Sequence, residues 1–490
     1  MSGKIDAVET THVDVLVVGA GVSGIGAGCH LQKNCPDQSF VILESRESLG
    51  GTWDLFRYPG IRSDSDMYTY AYSFKPWTGT RSIADGASIL SYVKDTAREH
   101  GIDEHIRYRH RARRAAWSST TARWTVDVER GPDREWVQFT CRFLYLCAGY
   151  FNYEQGYAPD FSSQELFKGR IVHPQLWTDD IDYENKRVVV IGSGATAVTL
   201  IPELARKASH VTMLQRSPTY MLSWPTKDKL ANAARRHLPT RIADRVGRGK
   251  YLLIMPLLFQ FARRFPMLAK RLLIGRIRRQ LGRDYDVATH FTPRYKPWDQ
   301  RVCVVPENDL FRAIRTGKVS IVTDRISRFS ETGVVLESGG ELAADLIVTA
   351  TGLDLRMAGG IDISVDGSHR DISKCLQYKG TMFSGIPNLA SCFGYTNASW
   401  TLKADLVSEY VCRLLRHMDS IGMRQCTPEL ADPSIKPEPF VDFSSGYFQR
   451  SADRLPKQGS KRPWKLYQNY ALDIIMLRFG KVDDGIMRFS

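Results

Sequence analysis

The chain has few of the features that mark disulfide-rich, metal-binding or secreted proteins. Its nine cysteines are odd in number, scattered, and never arranged as a CxxC pair. This argues for a reducing compartment and against structural disulfides or a zinc site. The first twelve residues include acidic side chains and no apolar run, so we expect no secretory signal. We therefore expect a cytoplasmic protein that needs no metal.

Long hydrophobic runs are also lacking. The longest run, residues 251–262, is interrupted by Pro256 and Gln260 and falls short of the ~20 residues that a membrane span needs. The wider segment 250–281 mixes Leu, Ile and Phe with Arg and Lys, a pattern compatible with an interfacial helix and peripheral membrane association. The simpler alternative is a set of helices that pack over an active site and expose a basic face to solvent.

Length and charge limit the classes of protein to which the chain can belong. With 490 residues the chain exceeds one hydrophobic core, since cores stop growing near ~250–300 residues. A net charge of +14 would suit nucleic acid, an anionic membrane or polyanionic cofactors. The sequence contains no known nucleic-acid module and no dense basic arm, so we expect no nucleic-acid partner.

A first glycine-rich loop follows a run of β-branched residues. Residues 13–18 are typical of a buried parallel strand, and they lead directly into a GxGxxG loop that opens a helix. Such a loop binds a pyrophosphate at the helix N-terminus. The next strand, 40–43, ends at Glu44, whose carboxylate can accept hydrogen bonds from both ribose hydroxyls and would repel a 2′-phosphate. The glycines of this loop are Gly19, Gly21 and Gly24.

A second glycine-rich loop follows strand 188–191, with alanine in the third glycine position, a permitted variant. The next strand, 210–214, leads to Arg216 instead of an acid. Without the carboxylate a 2′-phosphate is not repelled, and a guanidinium can bind it through two hydrogen bonds. The pattern predicts NADPH, with Arg216 reading the phosphate. The predicted contact residues are Gly192, Ser193, Gly194, Thr196, Ala197, Arg216 and Ser217.

Two loops of this kind suggest that electrons pass from one dinucleotide to another. A disulfide reductase would place a CxxxxC pair shortly after the first acidic residue, but no cysteine occurs between Cys35 and Cys141. A dithiol mechanism is therefore excluded. The segment that joins the loops carries an FxGxxxHxxxW pattern, formed by Phe167, Gly169, His173 and Trp177.

Two motifs carry a resemblance to a known family. Residues 50–64 match the signature A/G-G-x-W-x4-F/Y-P-G/M-x3-D at every fixed position, and residues 167–177 match FxGxxxHxxxW. The chain resembles the type I Baeyer–Villiger monooxygenases, which are class B flavoproteins. Segments 191–200 and 394–406 extend the resemblance, close to the ethionamide-activating subgroup, over nearly the whole chain. One departure is Thr178, where the family usually has Pro or Asp.

The resemblance implies an α/β fold with two Rossmann-like dinucleotide-binding domains and a helical insertion. We expect a split FAD-binding domain formed by residues 1–150 and 342–490. An NADPH-binding domain would span residues 151–341. A mainly helical insertion at 222–297, rich in Pro, Leu and Arg, suits a lid.

The resemblance also implies a reaction. NADPH reduces FAD, the reduced flavin takes up O2 as a C4a-peroxyflavin, and an aliphatic or aryl ketone becomes an ester or lactone, with sulfides and thioamides as further substrates. By family position the fixed positive charge that this needs falls on Arg301, paired with Asp64. Gln300 stands where relatives have a Lys that contacts NADP. The implied FAD contacts near the first loop are Gly51, Thr52, Trp53 and Asp64.

The role of His173 is implied in the same way. The reaction needs no general base at this position, so His173 and its motif are interpreted as a hinge between the two domains. Two alternatives stay open. A flavin N- or S-monooxygenase without ketone activity would usually carry Tyr or Phe in place of Trp177. A non-enzymatic, membrane-associated binding protein is suggested only by segment 250–281.

Overall fold

A computed structural model describes residues 9–490. Residues 1–8 lie outside the described residues, and with them part of the segment in which we expect no secretory signal and the start of the first predicted domain.

A mixed sheet of eleven strands, counted within residues 9–490, forms the first half of the fold. Its central strand, Thr10–Val18, pairs in parallel with Phe40–Leu43 on one side and Glu135–Leu146 on the other. Helix Val22–Asn34 follows the central strand and packs against helix Trp400–Ser420. The other strands of this first sheet are Ile106–Arg107, His110–Ser118, Arg123–Arg130, Asp362–Val365, Ser368–His369, Gln377–Tyr378, Met382–Phe383 and Leu389–Ser391.

A second sheet contains five parallel strands within the described part of the chain. Its strand Arg187–Ile191 is buried along all but its first residue and leads into helix Ala195–Leu204. In spatial order the strands are Val319–Thr323, His210–Gln215, Arg187–Ile191, Leu346–Thr349 and Arg170–Val172.

The start of the returning segment at 342 was predicted wrongly. Strand Leu346–Thr349 was expected in the FAD-binding domain, but it pairs in parallel with Arg187–Ile191 and Arg170–Val172 of the second sheet. The chain rejoins the first sheet only at Asp362–Val365. A short, fully apolar strand suits the middle of either parallel sheet, so its sequence does not indicate which one it joins.

Both glycine loops lie where the strand order reverses. The strands that precede them, Thr10–Val18 and Arg187–Ile191, each have parallel neighbours on both sides. Ligands of open α/β sheets bind at such points, outside the carboxyl ends of the strands. The fold therefore presents two nucleotide-type crevices.

The predicted insertion is mainly helical but begins with a strand. Met221–Trp224 pairs with Cys303–Pro306, and four helices lie between them. Two of these, Thr240–Arg264 and Pro266–Leu281, meet at a bend of 112° and are called the lid helices below. Within residues 9–490 no single helix combines the length and apolar character of a membrane span, and only this bent pair passes that test when its two halves are taken together. The other two helices are Lys229–His237 and Val287–Phe291.

The remaining elements surround the two sheets. The helices are Thr52–Leu55, Met67–Tyr70, Gly86–Glu99, Asp309–Arg315, Gly446–Arg450 and Tyr470–Asp473. A small antiparallel sheet contains Ile326–Phe329, Gly333–Leu336 and Glu341–Ala343. Two short strand pairs are Cys426–Pro428 with Met487–Phe489, and Pro437–Pro439 with Lys457–Gly459.

Candidate active site

A cavity of about 540 Å³, the first cavity, lies in front of the first glycine loop and reaches the start of the helix that follows the second loop. It brings together residues that are far apart in sequence, from both loops and from the segment after Gly50. The predicted site residues that line it are Gly19, Gly21, Glu44, Gly51, Thr52, Trp53, Asp64, Thr196 and Arg301.

The first loop presents a free helix N-terminus to this cavity. Gly21 caps helix Val22–Asn34 without a side-chain hydrogen bond, and the first turn holds no acidic residue. The free N–H groups and the helix dipole therefore suit a pyrophosphate. Gly19 needs its glycine, because φ is +104° and a Cβ would lie 2.7 Å from the Cys147 carbonyl oxygen. A Cβ on Gly24 would lie 1.8 Å from the Gly19 oxygen, so Gly24 serves packing and does not line the cavity.

Glu44 is fixed at the wall of the first cavity. Its side chain is buried and accepts hydrogen bonds from the backbone N–H groups of Ala20 and Arg46, each at 2.9 Å. Burial raises the pKa of the Glu44 carboxyl, while these N–H groups act to lower it. An anchored carboxylate at this place suits the two hydroxyls of a ribose. The residues of the first cavity thus fit a dinucleotide.

The second loop has the same open character. Gly194 caps helix Ala195–Leu204 without a side-chain hydrogen bond, and a Cβ added to it would meet no protein atom within 4 Å. The packing of the protein therefore does not require glycine there, and the open space lets a ligand approach the backbone. Ser193 donates a hydrogen bond to the Ser217 carbonyl oxygen at 3.1 Å. Arg216 is exposed and forms no ion pair with any of residues 9–490.

Sequence reasoning missed Arg450. Its guanidinium lies 3.6 Å from the ring centroid of Tyr157, and its Nη2 would be 3.3 Å from a Cβ on Gly352. Burial lowers the pKa of Arg450, and the nearby positive charge of Arg216 lowers it further. Two guanidinium groups close together form a strong site for a phosphate. Arg450 lies in no motif and is distant from Arg216 in the chain, so no sequence signal indicated it.

A second cavity of about 470 Å³ lies behind the first. The lid helix Thr240–Arg264 forms part of its wall with Met255 and Phe259, and the C-terminal segment adds Phe443 and Leu466. The lining is mostly apolar. Four residues line both cavities and therefore form the partition between them: Asp64, Ser65, Arg301 and Ala398.

Arg301 and Asp64 form an ion pair within this partition. The Arg301 Nε lies 3.5 Å from the Asp64 Oδ2, with 44% of the arginine side chain and 15% of the aspartate side chain exposed. The charge is thus held by its partner and still faces open space in both cavities. The sequence signature at Asp64 and the family position of Arg301 correctly predicted that these two side chains lie together.

Comparison with known proteins identifies the family. The model of the family described as "Flavin-binding monooxygenase-like" matches residues 12–367, most of the chain. The chain belongs to this flavin-binding monooxygenase family. The predictions of an enzyme and of a flavin monooxygenase are therefore confirmed, and the non-enzymatic alternative is not supported.

Close relatives of this flavin monooxygenase have been named. The chain is 54% identical over 482 residues to "FAD-containing monooxygenase EthA" of Mycobacterium tuberculosis, covering 98% of each chain. It is 49% identical over 484 residues to "Putative FAD-containing monooxygenase MymA" of the same species, again covering 98% of each. These relatives confirm the predicted kinship with the ethionamide-activating subgroup.

The predicted fold is confirmed by solved structures. The flavin monooxygenase superimposes on a steroid monooxygenase solved with NADP at a TM-score of 0.76, covering 98% of this chain and 99% of that one, with 22% sequence identity. At this identity the likeness establishes the two-dinucleotide fold.

The His173 motif lies outside both cavities of this flavin monooxygenase. The His173 Nδ1 accepts a hydrogen bond from the Gln175 backbone N–H at 3.2 Å, which leaves Nε2 to donate to the Gly352 carbonyl oxygen at 3.1 Å. Burial lowers the His173 pKa, so the ring is neutral at physiological pH. Phe167 and Trp177 are buried in the packing of the second sheet, and a Cβ on Gly169 would lie 2.6 Å from the Asp345 oxygen.

We expect loss of the His173 hydrogen bond to slow several steps together. In His173→Phe the turn at Gly352 loses its donor, and flavin reduction and product formation should both fall by about tenfold. His173→Gln, which can still donate, should recover part of both rates. Stopped-flow reduction and product yield, measured on the same preparations, test this. Loss of one step with the other unchanged would contradict the hinge interpretation.

Asp66 is a buried acid at the wall of the second cavity. It caps helix Met67–Tyr70 and accepts hydrogen bonds from the Thr69 backbone N–H at 2.8 Å and the Thr69 hydroxyl at 2.6 Å. Burial raises the pKa of Asp66 to about 6, although these hydrogen bonds act to lower it. The group therefore titrates within the physiological range.

Asp66 should make the stability of the enzyme depend on pH. Because its folded-state pKa is raised, its contribution is complete below the unfolded pKa and is lost as pH rises through about 6. Relative to Asp66→Asn, the wild type should lose about 2 kcal/mol of unfolding free energy between pH 4.5 and pH 7.5. Urea unfolding at both pH values measures this.

Asp286 provides a matched control for Asp66. It also caps a helix, but hydrogen bonds from Thr289 lower its pKa instead of raising it. Asp286→Asn should differ from wild type by the same amount at pH 4.5 and pH 7.5. An equally constant difference for Asp66→Asn would contradict the prediction.

Proposed function

We propose that this protein is an FAD- and NADPH-dependent Baeyer–Villiger monooxygenase that converts apolar aliphatic or aryl ketones to esters or lactones. The observation that carries the proposal is the partition between the two cavities, where a fixed guanidinium faces both. In the net reaction one atom of O2 enters the bond between the carbonyl carbon and its neighbour. The other atom leaves as water, with two electrons from NADPH and one proton from solvent.

The residues of the two crevices fit the two cofactors. FAD would be held at the first loop, with its pyrophosphate at the N-terminus of helix Val22–Asn34 and a ribose on Glu44. NADPH would be held at the second loop, with its 2′-phosphate between Arg216 and Arg450. When bound, these cofactors supply the hydride and the activation of O2. The FAD-binding domain would combine residues 1–150 with the segment that rejoins the first sheet after 361.

Arg301 and Asp64 would carry the chemistry that the protein itself contributes. A guanidinium stays charged at all working pH values and stabilises negative charge that develops on oxygen during transfer. Asp64 orients this group, because the ion pair at 3.5 Å limits the directions in which the arginine can point. The mostly apolar walls of the second cavity would lower the polarity around the guanidinium and so strengthen its electrostatic effect.

The second cavity supports an apolar substrate. Its walls include Leu222, Trp224, Met255 and Phe259 from the insertion, and few charged side chains besides the partition. Polar ketones would lose hydration there without replacement. An apolar sulfide or thioamide would fit the same walls, so S-oxygenation belongs to the proposal as a side activity.

The test is a product screen with the purified holoenzyme, NADPH and 18O2. Linear, aryl and cyclic ketones and a methyl aryl sulfide serve as substrates, and NADH replaces NADPH in a control. We expect singly labelled ester or lactone. Labelled sulfoxide without any ester would instead support the S-monooxygenase alternative and overturn the ketone assignment.

A further inference from the structure

The lid helices expose an unusual number of large apolar side chains. Leu253, Leu257 and Met267 are 63%, 58% and 66% exposed, and Phe265, at the bend between the helices, is 53% exposed. Elsewhere such residues are mostly single, as is normal for a protein surface. The exposed apolar residues of the lid helices are Ile242, Leu253, Leu257, Phe265, Met267, Leu268 and Leu272.

These side chains lie on the solvent-exposed face of the lid helices, and the second cavity lies nearby. Leu253, Leu257 and Arg264 follow an i, i+4, i+11 spacing and therefore share one stripe of helix Thr240–Arg264. Met255 and Phe259 are each offset by two residues from Leu253 and Leu257, so they lie on the opposite side of the helix, where they line the second cavity. Helix Thr240–Arg264 thus has the second cavity on one side and the exposed apolar stripe on the other.

The same segment carries most of the net charge of the protein. Residues 240–283 contain twelve Lys and Arg against a single acid, Asp244, so they contribute +11 of the net +14. Arg264, Arg271 and Arg278 are exposed and form no ion pair within residues 9–490. Exposed apolar side chains interleaved with unpaired cations match an anionic bilayer surface, where the former enter the headgroup boundary and the latter meet lipid phosphates.

A second copy of the chain fits this face less well. Two-fold association would bring the same patch against itself, so that two surfaces rich in unpaired arginines would face each other. Like charges across an interface oppose association. An anionic lipid surface can interact with both the exposed apolar side chains and the unpaired arginines of the lid helices.

We propose that the lid helices dock the enzyme on anionic membranes, with the mouth of the second cavity beside the bilayer. Gln260 and Arg263 are exposed and also line this cavity, so its opening lies close to the bend that carries Phe265 and Met267. Apolar substrates dissolved in lipid would enter from there. The entry route rests on the proposed function, whereas membrane binding does not.

The test is co-sedimentation of the holoenzyme with vesicles, which requires no turnover. One set of vesicles is phosphatidylcholine, and the other contains roughly one quarter phosphatidylglycerol. We expect binding to the anionic set to exceed binding to the neutral set by at least about tenfold, and to weaken at high salt.

Two sets of variants locate the surface. The apolar set Leu253→Gln, Leu257→Gln, Met267→Gln and the basic set Arg264→Gln, Arg271→Gln, Arg278→Gln should each weaken binding about a hundredfold. The matched control Leu430→Gln, Ile475→Gln, Phe479→Gln removes exposed apolar side chains outside the lid helices and should bind as the wild type does. Turnover of a water-soluble substrate should be unchanged in all three.

Several outcomes would overturn the proposal. These are equal binding to neutral and anionic vesicles, no binding at all, or lid variants that bind as the control does. A dimer in sedimentation that dissociates in the apolar set without any vesicle binding would assign the face to a second copy. Because the sedimentation assay does not depend on ester formation, its failure is distinct from failure of the proposed function.

Discussion

Arg301→Ala should form at least about a thousandfold less ester than wild type, while NADPH still reduces the flavin at a rate within about threefold. The reason is the position of the side chain. Arg301 lies in the partition between the two cavities, where its charge would face the proposed reacting centre, and it takes no part in either glycine loop. Electrons should still arrive and pass to O2, but they should leave as hydrogen peroxide.

Three measurements on one preparation establish this. They are anaerobic flavin reduction by stopped flow, peroxide release, and labelled ester from 18O2. Arg301→Lys keeps the charge but loses the Nε that pairs with Asp64, and should recover part of the ester yield. Arg263→Ala, which removes another exposed arginine of the second cavity, should stay near wild type in flavin reduction and peroxide release. Full ester formation by Arg301→Ala would refute the assignment.

Arg216→Ala should raise the KM for NADPH by about 10–100-fold and leave the KM for NADH nearly unchanged. Arg216 has no ion-pair partner among residues 9–490, so removing it leaves no carboxylate unpaired in the protein. Arg450→Ala should also raise the KM for NADPH, because the positive charge of Arg216 acts on Arg450 and both charges would attract the same phosphate.

The double variant and a control make this prediction sharper. If both arginines bind one phosphate, their effects should not be additive, and the double variant should lose nearly all preference for NADPH over NADH. Arg206→Ala, an exposed arginine just beyond helix Ala195–Leu204, should keep the preference. An unchanged preference in Arg216→Ala would contradict its role.

Local patterns predicted the nucleotide crevices well for a physical reason. Glycine loops, their flanking strands and Glu44 are contiguous in the chain, and their geometry follows from short-range sterics. The predicted strands at 40–43, 188–191 and 210–214 agree with Phe40–Leu43, Arg187–Ile191 and His210–Gln215 to within one residue. The pair Asp64 and Arg301 needed the family resemblance, because nothing local relates side chains so far apart.

Other parts of the site could not be read from the sequence. Strand Leu346–Thr349 has the same apolar character as any central strand, so only its pairing reveals its sheet. Arg450 is held by its contact with the Tyr157 ring, a tertiary contact without a motif. The second cavity likewise arises where several segments that are distant in sequence meet.

The partition between the cavities also bears on how such enzymes diversify. Among residues 9–490 only four are common to the two linings, and the far walls of the second cavity belong to the insertion and the C-terminal segment. Substitutions in those walls can change the range of substrates that bind, and they leave the two glycine loops and the partition unchanged. Mutational libraries confined to Leu222, Met255, Phe259 and Leu466 should therefore yield altered substrate ranges at little cost to coupling efficiency.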